Sequence, residues 1–163
     1  MQKTWSSLVN TNFNEAALNY NESASIQKST ALKLAKICSN HSIKHGLWVD
    51  LGSGTGLLAT SLEALHPSQH VMRLDNSKKM LDQHSPKSNR QIWDLNDGLP
   101  KWPKQANLLA SSFVLHWLNN PQKQLKKWFN SLSPDGCIAL AIPIKGSFPE
   151  WYEAADQAEL RCT

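Results

Sequence analysis

The sequence lacks the features that define several classes of protein. Its three cysteines, Cys38, Cys137 and Cys162, include no C-x-x-C pair, so neither a disulfide framework nor a metal site is predicted. No apolar run approaches the ~20 residues of a membrane span, and the N-terminus has no apolar segment typical of a secretory signal. No dense run of lysine and arginine is interleaved with aromatic residues. We therefore expect a cytoplasmic protein that binds neither a membrane nor nucleic acid.

The composition is that of one globular domain. The chain has 163 residues, of which 40% are hydrophobic, enough for a sizeable core. The formal net charge of +4 is concentrated in the flanks: residues 1–46 carry five lysines and two glutamates, and residues 101–163 carry seven basic and five acidic residues. These flanks are either a solvated surface or a surface that weakly steers an acidic partner.

The stretch from residue 47 to residue 59 predicts a buried strand, a glycine turn and the start of a helix. Leu47–Leu51 is a short, mostly apolar run, as in the central strand of a parallel sheet. Gly52, Gly54 and Gly56 then allow a tight turn and a close approach of the backbone to a ligand. The following helix places three leucines on one face: Leu58, Leu62 and Leu65.

The spacing within this turn separates two kinds of nucleotide site. The pattern is D-x-G-x-G-x-G, starting at Asp50, whereas dinucleotide sites use G-x-G-x-x-G. A carboxylate ahead of the turn suits a ligand with an ammonium group or hydroxyls rather than a pyrophosphate. The alternative is a glycine-rich turn that binds nothing.

Three acids fall at the ends of three consecutive predicted strands, 47–51, 70–75 and 90–94. The carboxyl ends of parallel strands meet at one edge of the sheet, where such folds bind ligands. Asp75 is then placed to accept bonds from two ribose hydroxyls, and Asp94 to accept one from the amine of adenine. Asp75 has a second interpretation as a helix-capping acid, although Ser77 competes for that role.

The remaining segments alternate between helix and strand, which predicts an α/β fold with a Rossmann-like, doubly wound, mostly parallel sheet. Residues 12–40 read as two helical pieces, with Tyr20 ending the first, and 77–82 as a short helix. Residues 107–113 and 137–142 read as further strands. Between those strands lies a helix, 121–132, with a predicted buried stripe of Leu125, Trp128, Phe129 and Leu132.

Several motifs resemble one enzyme family, the malonyl-acyl-carrier-protein O-methyltransferases of biotin synthesis, which are class I S-adenosylmethionine (SAM) methyltransferases. The shared patterns are F-x-x-A-A-x-x-Y from Phe13, D-L-G-S-G-T-G, L-D-N-S-x-x-M-L from Leu74, S-S-F-V-L-H-W from Ser111, L-S-P-D-G and G-S-F-P-E. The family often has glutamine where this chain has His116. That histidine is either a packed residue or a base for a different acceptor.

The resemblance implies SAM as cofactor, with S-adenosylhomocysteine (SAH) as its product, and the carboxylate of a malonyl thioester on acyl-carrier protein as acceptor. It places Tyr20 and Trp117 around the transferred methyl group, with no general base. The cofactor-binding residues it implies are Asp50, Gly52, Ser53, Gly54, Gly56, Asp75, Asn76, Met80, Asp94, Leu95 and Ser111. The alternatives are a SAM methyltransferase with another small-molecule acceptor and a non-catalytic SAM-binding domain.

The resemblance also divides the chain. Residues 1–45 are expected to form a helical cap, 46–145 the cofactor-binding core, and 146–163 the start of a truncated acceptor region. Family members continue into two further strands beside the fifth. We therefore expect residues 137–142 to form an exposed apolar edge that pairs with a second copy or another partner.

Overall fold

A computed structural model describes residues 5–149. Within this range lies a five-stranded, all-parallel sheet in the order β3-β2-β1-β4-β5. The strands are β1 Leu47–Leu51, β2 Val71–Asp75, β3 Arg90–Ile92, β4 Ala106–Ser112 and β5 Leu132–Ala141. The helices are α1 Trp5–Ala16, α2 Tyr20–Ser23, α3 Ser25–Ser39, α4 Leu57–Leu65, α5 Lys78–Leu81 and α6 Pro121–Asn130. Two single turns of 3-10 helix, Leu95–Asp97 and Leu115–Trp117, complete the order, and the predicted Rossmann-like fold is confirmed.

Strand β1 is the centre of the sheet, paired with β2 on one side and β4 on the other. Side chains alternate across a strand, so Trp48 enters the core on one face while Val49 enters it on the other. Helices α3 and α4 cover the Trp48 face, and α6 covers the Val49 face. Because both faces are covered, β1 is apolar nearly throughout, as its sequence predicts.

The N-terminal segment differs from the two helical pieces that the sequence predicts. Three helices are present, and the first begins at Trp5 rather than near residue 12. Tyr20 begins α2 instead of ending the first piece, because the chain turns at Asn19, whose N–H donates to Ala16 O. The second predicted piece is present as α3, whose buried residues recur at helical spacing: Ala31, Leu34, Ala35 and Cys38.

Two predicted core positions are wrong. Leu65, in the last turn of α4, is 39% exposed, and Phe129 of α6 is 66% exposed. The face of α6 that meets the sheet runs through Gln124 and Trp128, four residues apart. A residue one position further turns about 100° away from that face, so Phe129 points to solvent.

Strand β5 begins before the expected strand 137–142 and includes a turn at residues 133–136, within the L-S-P-D-G motif. Ala106 pairs with Leu132 and Leu108 with Cys137, so the turn lies between two paired stretches as an irregularity. Among the described residues β5 pairs only with β4, which makes it a sheet edge. Pairing of residues 137–142 with a second copy stays a prediction.

The described residues form no membrane-spanning helix, group of metal-binding side chains or disulfide. No helix within residues 5–149 has the length and apolarity needed to cross a bilayer. The same residues contain no group of three or more side chains able to hold a metal ion. Cys38 is buried and Cys137 is half-buried, both as free thiols. Residues 150–163 of the expected acceptor region, including Glu150 of the G-S-F-P-E motif and Cys162, lie outside the described residues.

The neighbours Trp128 and Phe129 give a matched test of the packing. Trp128 is fully buried between α6 and the sheet, so Trp128→Ala should lower the free energy of unfolding by roughly 3–5 kcal/mol. Phe129→Ala should change it by less than about 0.5 kcal/mol, because the ring is mostly in water. Guanidinium unfolding of both variants measures the difference, and equal losses would contradict this placement of α6.

Candidate functional site

The glycine turn after β1 forms the floor of the site. Gly52, Gly54 and Gly56 have φ values of 69°, 52° and 90°, a region that strains residues with a Cβ. A Cβ on Gly52 would lie 2.4 Å from Cγ2 of Val114. A Cβ on Gly54 would meet no atom within 4 Å, so the space above that peptide is open. The turn therefore presents bare backbone to an open cleft.

The cleft runs along the carboxyl ends of β2, β1 and β4, beneath the N-terminal helices. Its empty volume is about 710 Å³ with the open mouth included. Its lining residues are Ser6, Val9, Phe13, Tyr20, Gly52, Gly54, Asp75, Asn76, Met80, Trp93, Asp94, Leu95, Asn96, Ser112, Phe113, Val114, Trp117 and Leu118.

Asp75 joins two strand ends at the middle of the cleft. Its Oδ2 accepts from the Gly54 N–H at 2.8 Å, and its Oδ1 accepts from the Ser77 N–H at 2.8 Å. Burial raises the pKa of this carboxyl, and the N–H donors of Ser77, Gly54 and Asn76 oppose the rise. Ser77 caps α5 with its own hydroxyl. Capping therefore does not require Asp75, whose carboxylate is left to face the cleft.

Asp94 lies at the far end of the cleft between apolar walls. Its Oδ1 accepts from the backbone N–H and from Nδ2 of Asn96, both at 2.9 Å. Both bonds use one oxygen, so Oδ2 remains available to a ligand. Leu95 is buried beside it, and the Trp93 indole is fixed by its bond to Gly98 O at 2.9 Å. A carboxylate oxygen between apolar walls suits a flat ring with an amino group.

A second cavity opens on the other side of the glycine turn, next to α3, with an empty volume of about 360 Å³. Asp50 lines it and is 1% exposed, with Oδ2 accepting from the Ala59 N–H at 3.0 Å. Burial raises the pKa of Asp50 to about 7, against the opposing effects of that N–H and of Arg73. The hydroxyls of Ser53 and Ser112 also line it, and each is buried without a hydrogen-bond partner. Such orphaned polar groups are costly unless a ligand or water satisfies them.

An aromatic wall, formed by side chains of the N-terminal helices and by Trp117, lines the cleft. Trp117 stacks on Trp5 with ring centroids 5.8 Å apart and meets the edge of Phe13 at 6.0 Å. Phe13 lies 6.2 Å from Tyr20. Burial, and then the charge of Asp75, raise the pKa of the Tyr20 phenol above its usual value of 10.0. Tyr20 therefore carries its proton at neutral pH and can donate it in a hydrogen bond.

The structure divides the sequence-predicted residues into two groups. Most of them line one of the two cavities, but Gly56 and Ser111 line neither. Ser111 donates its hydroxyl to Leu51 O at 2.8 Å, which ties β4 to the end of β1. Gly56 makes room for the ring of His84. Both residues thus support the turn from outside the cleft. His116 is exposed and outside the lining of both cavities.

Sequence reasoning missed several residues of the site. Ser112 lines both cavities, whereas its neighbour Ser111 points away. Successive side chains of a strand point to opposite faces of the sheet, so the two serines of β4 must face opposite ways. This alternation does not predict which of the two faces the ligand. Asn10 and Asn14 of α1 were also missed. Asn10 donates to Asn76 O, and Asn14 accepts from the Ser77 hydroxyl. These two bonds attach α1 to the residues that directly follow Asp75.

Comparisons with known proteins agree with this geometry. The family model described as "Methyltransferase domain" matches residues 49–140. The malonyl-[acyl-carrier protein] O-methyltransferase of Bacillus cereus is 26% identical over 157 residues, covering 93% of this chain and 58% of the relative. The trans-aconitate 2-methyltransferase of Mycobacterium tuberculosis is 32% identical over 114 residues, covering 69% and 42%. The chain thus spans about half the length of these relatives, 58% of the first and 42% of the second.

Among solved structures, a DhpI–SAM–HEP complex superposes with a TM-score of 0.68 at 16% identity, covering 98% of this chain and 76% of that one. At this identity the likeness concerns the fold. The family model, by contrast, covers more than half of the chain and includes the glycine turn, Asp75 and Asp94. The chain therefore belongs to the methyltransferase-domain family, within the class I SAM-dependent methyltransferases.

Proposed function

We propose that the chain binds SAM along the carboxyl edge of its sheet and methylates the carboxylate of a malonyl thioester. One observation carries the proposal: Asp75 is bonded to the bare Gly54 backbone in a cleft that Asp94 and the aromatic wall also line. Carboxylates suited to an adenosine therefore share one cleft with aromatic side chains that can enclose a reactive centre.

The residues present fit the nucleoside part of SAM. The open space above Gly54 admits a ribose, and the Asp75 carboxylate accepts bonds from its two hydroxyls. Oδ2 of Asp94 accepts from the exocyclic amine of adenine, while Leu95 and Trp93 enclose the ring. Asn76 and Met80 line the same stretch. Only glycine at position 54 leaves this space open.

The second cavity fits the amino-acid part of SAM. The Asp50 carboxylate is buried there, and a ligand ammonium would offset the cost of its charge. The unpaired hydroxyls of Ser53 and Ser112 can donate to the ligand carboxylate. Both cavities share Tyr20, Gly52 and Gly54, so one ligand can extend from one cavity into the other.

In this reaction the protein orients the acceptor and the methyl group, and it need not transfer a proton. SAM, when bound, supplies a methyl group activated by its sulfonium. A carboxylate acceptor is already ionised at neutral pH, so no general base is needed. The hydroxyl of Tyr20 donates a hydrogen bond to an oxygen of the methyl-accepting substrate. Trp117 and Phe13 exclude water from the reacting groups. Such orientation can be worth roughly 7–11 kcal/mol of the barrier.

The acceptor is inferred from the charges of the cleft. Malonyl-acyl-carrier protein and trans-aconitate, which name the relatives, both carry free carboxylates. None of the described residues that line the cleft is lysine or arginine. The two additional carboxylates of trans-aconitate would lack partners there, whereas a malonyl thioester brings only the one that becomes an ester. We therefore favour the malonyl thioester on an acidic acyl-carrier protein, the acceptor that the resemblance assigns to biotin synthesis.

The domain organisation follows the same proposal. Residues 46–145 form the cofactor-binding core, and the helices up to residue 45 form a cap that supplies Phe13 and Tyr20 to the acceptor end. The basic flanks meet the acidic carrier protein through long-range attraction.

Asp75→Ala should weaken SAM binding by roughly 100-fold or more, because it removes a charged acceptor and releases the Gly54 N–H. Asp82→Ala is the matched control, since Asp82 is exposed and lines neither cavity, and it should bind SAM as the unaltered protein does. Calorimetry with SAM, SAH and NAD measures all three affinities. Binding of NAD without SAM would overturn the cofactor assignment.

Asp50→Asn should stabilise the ligand-free protein more at pH 8 than at pH 5. The native pKa of about 7 exceeds the unfolded value of 3.8, so the folded state binds more protons between these values and loses stability as the pH rises through 7. Asparagine has no charge to bury and keeps an oxygen for the Ala59 N–H. Urea unfolding at both pH values tests this, with exposed Asp135→Asn as control. An equal gain at both pH values would show that Asp50 is ionised without cost.

Tyr20→Phe should lower the rate of methyl transfer more than it lowers SAM affinity, because the phenol contacts the acceptor. The assay follows label from methyl-labelled SAM into malonyl-acyl-carrier protein, with malonyl-coenzyme A, acetyl-acyl-carrier protein and trans-aconitate as comparisons. Malonyl-acyl-carrier protein should be the best acceptor and the acetyl form inert. Equal labelling of acetyl and malonyl forms would refute carboxyl transfer, and preference for trans-aconitate would refute the malonyl assignment.

A further inference from the structure

His84 lies outside the cleft but contacts the glycine turn that forms its floor. It follows α5 in the segment that leads to β3, and it is only 8% exposed. Its Nε2 is 2.7 Å from the carbonyl oxygen of Gly54. Its ring also covers Gly56, where a Cβ would lie 2.6 Å from Cε1 of the imidazole. One side chain therefore meets two glycines of the turn.

The Gly54 residue is held from both sides as a result. Its N–H donates to Oδ2 of Asp75, and its carbonyl oxygen accepts from Nε2 of His84. A glycine has no side chain to restrict its backbone, so an unrestrained turn would sample many conformations before a ligand binds. Two opposed hydrogen bonds remove that freedom in advance.

His84 is itself well anchored. Its N–H donates to Leu81 O at 3.2 Å, and Nη1 of Arg90 donates to the carbonyl oxygens of both Leu81 and His84. Arg90 is the first residue of β3. The backbone of His84 is therefore connected through Arg90 to the sheet, and this anchoring lets the side chain resist displacement of the turn.

The surroundings of the ring determine its protonation state. Burial lowers the pKa of His84, and the charges of Arg73 and Arg90 lower it further, while the Gly54 carbonyl and Glu63 act in the opposite direction. The ring is neutral at neutral pH. Since a carbonyl only accepts, its proton is then on Nε2.

We propose that His84 is a positioning residue that holds the glycine turn in its ligand-binding conformation before the cofactor arrives. The proposal deepens the proposed function, because the ligand it prepares for is SAM. By fixing Gly54 in advance, His84 reduces the ordering cost of binding. It lines neither cavity, so its effect acts through Gly54 and Gly56.

The test compares two replacements of His84. His84→Gln places an amide donor near the position of Nε2, whereas His84→Leu keeps bulk without a donor. His41→Gln, at an exposed histidine, is the control. Each protein is examined without ligand, by the exchange rates of the Gly54 and Gly56 amides and by thermal unfolding, and with SAH by calorimetry.

We expect His84→Leu to speed exchange of both amides by roughly tenfold and to weaken SAH binding by a similar factor, the size of one buried hydrogen bond. His84→Gln should stay within about threefold of the unaltered protein in both measurements. Unchanged exchange and affinity in His84→Leu would overturn the proposal. So would equal effects of Gln and Leu, because these would mean that packing alone matters.

The exchange measurement separates this proposal from the proposed function. If the unaltered protein does not bind SAH, the proposed function fails, but the amides of Gly54 and Gly56 still report on the turn. Slower exchange in the unaltered protein and in His84→Gln than in His84→Leu would then still support the role of His84.

Discussion

The hydrogen bond from the Gly54 N–H to the Asp75 carboxylate is the contact on which the site depends. It joins the turn after β1 to the end of β2, two segments that the parallel pairing of these strands brings to the same edge. Glycine allows the positive φ that points this N–H at Asp75, and the strand ending fixes the carboxylate. The cleft, its carboxylates and its open floor all follow from this junction.

This arrangement buries charged side chains, which is energetically unfavourable. Asp50 and Arg73 are paired neighbours on adjacent central strands, and Glu63 of α4 holds the guanidinium through two bonds of 3.1 and 2.7 Å. Arg73 favours the ionised form of Asp50, but burial outweighs it. A carboxyl left so poorly solvated stabilises the ligand-free protein less than a neutral residue would, and the ammonium group of the proposed ligand would supply the missing counter-charge.

The sequence predicts those features that depend on neighbouring residues. Strand periodicity predicts the buried strand Leu47–Leu51 and the glycine turn after it. The geometry of parallel sheets predicts that the acids at positions 50, 75 and 94 lie at one edge. Contacts between distant segments were not predictable in this way. Trp128 and Phe129 are adjacent aromatic residues that the sequence pattern does not distinguish. The orientation in which α6 packs on the sheet determines that Trp128 is buried and Phe129 is exposed. The bond from His84 to Gly54 spans thirty residues, and no periodic pattern marks it.

The junction of the glycine turn and Asp75 is the proposed floor of a SAM site. A titration of the ¹⁵N-labelled protein with SAH, followed by amide chemical shifts, tests this placement. We expect the largest shifts on Gly52, Gly54, Asn76 and Leu95, with small shifts along α6. Saturable shifts confined to other surfaces, with Gly54 and Asn76 unmoved, would contradict it.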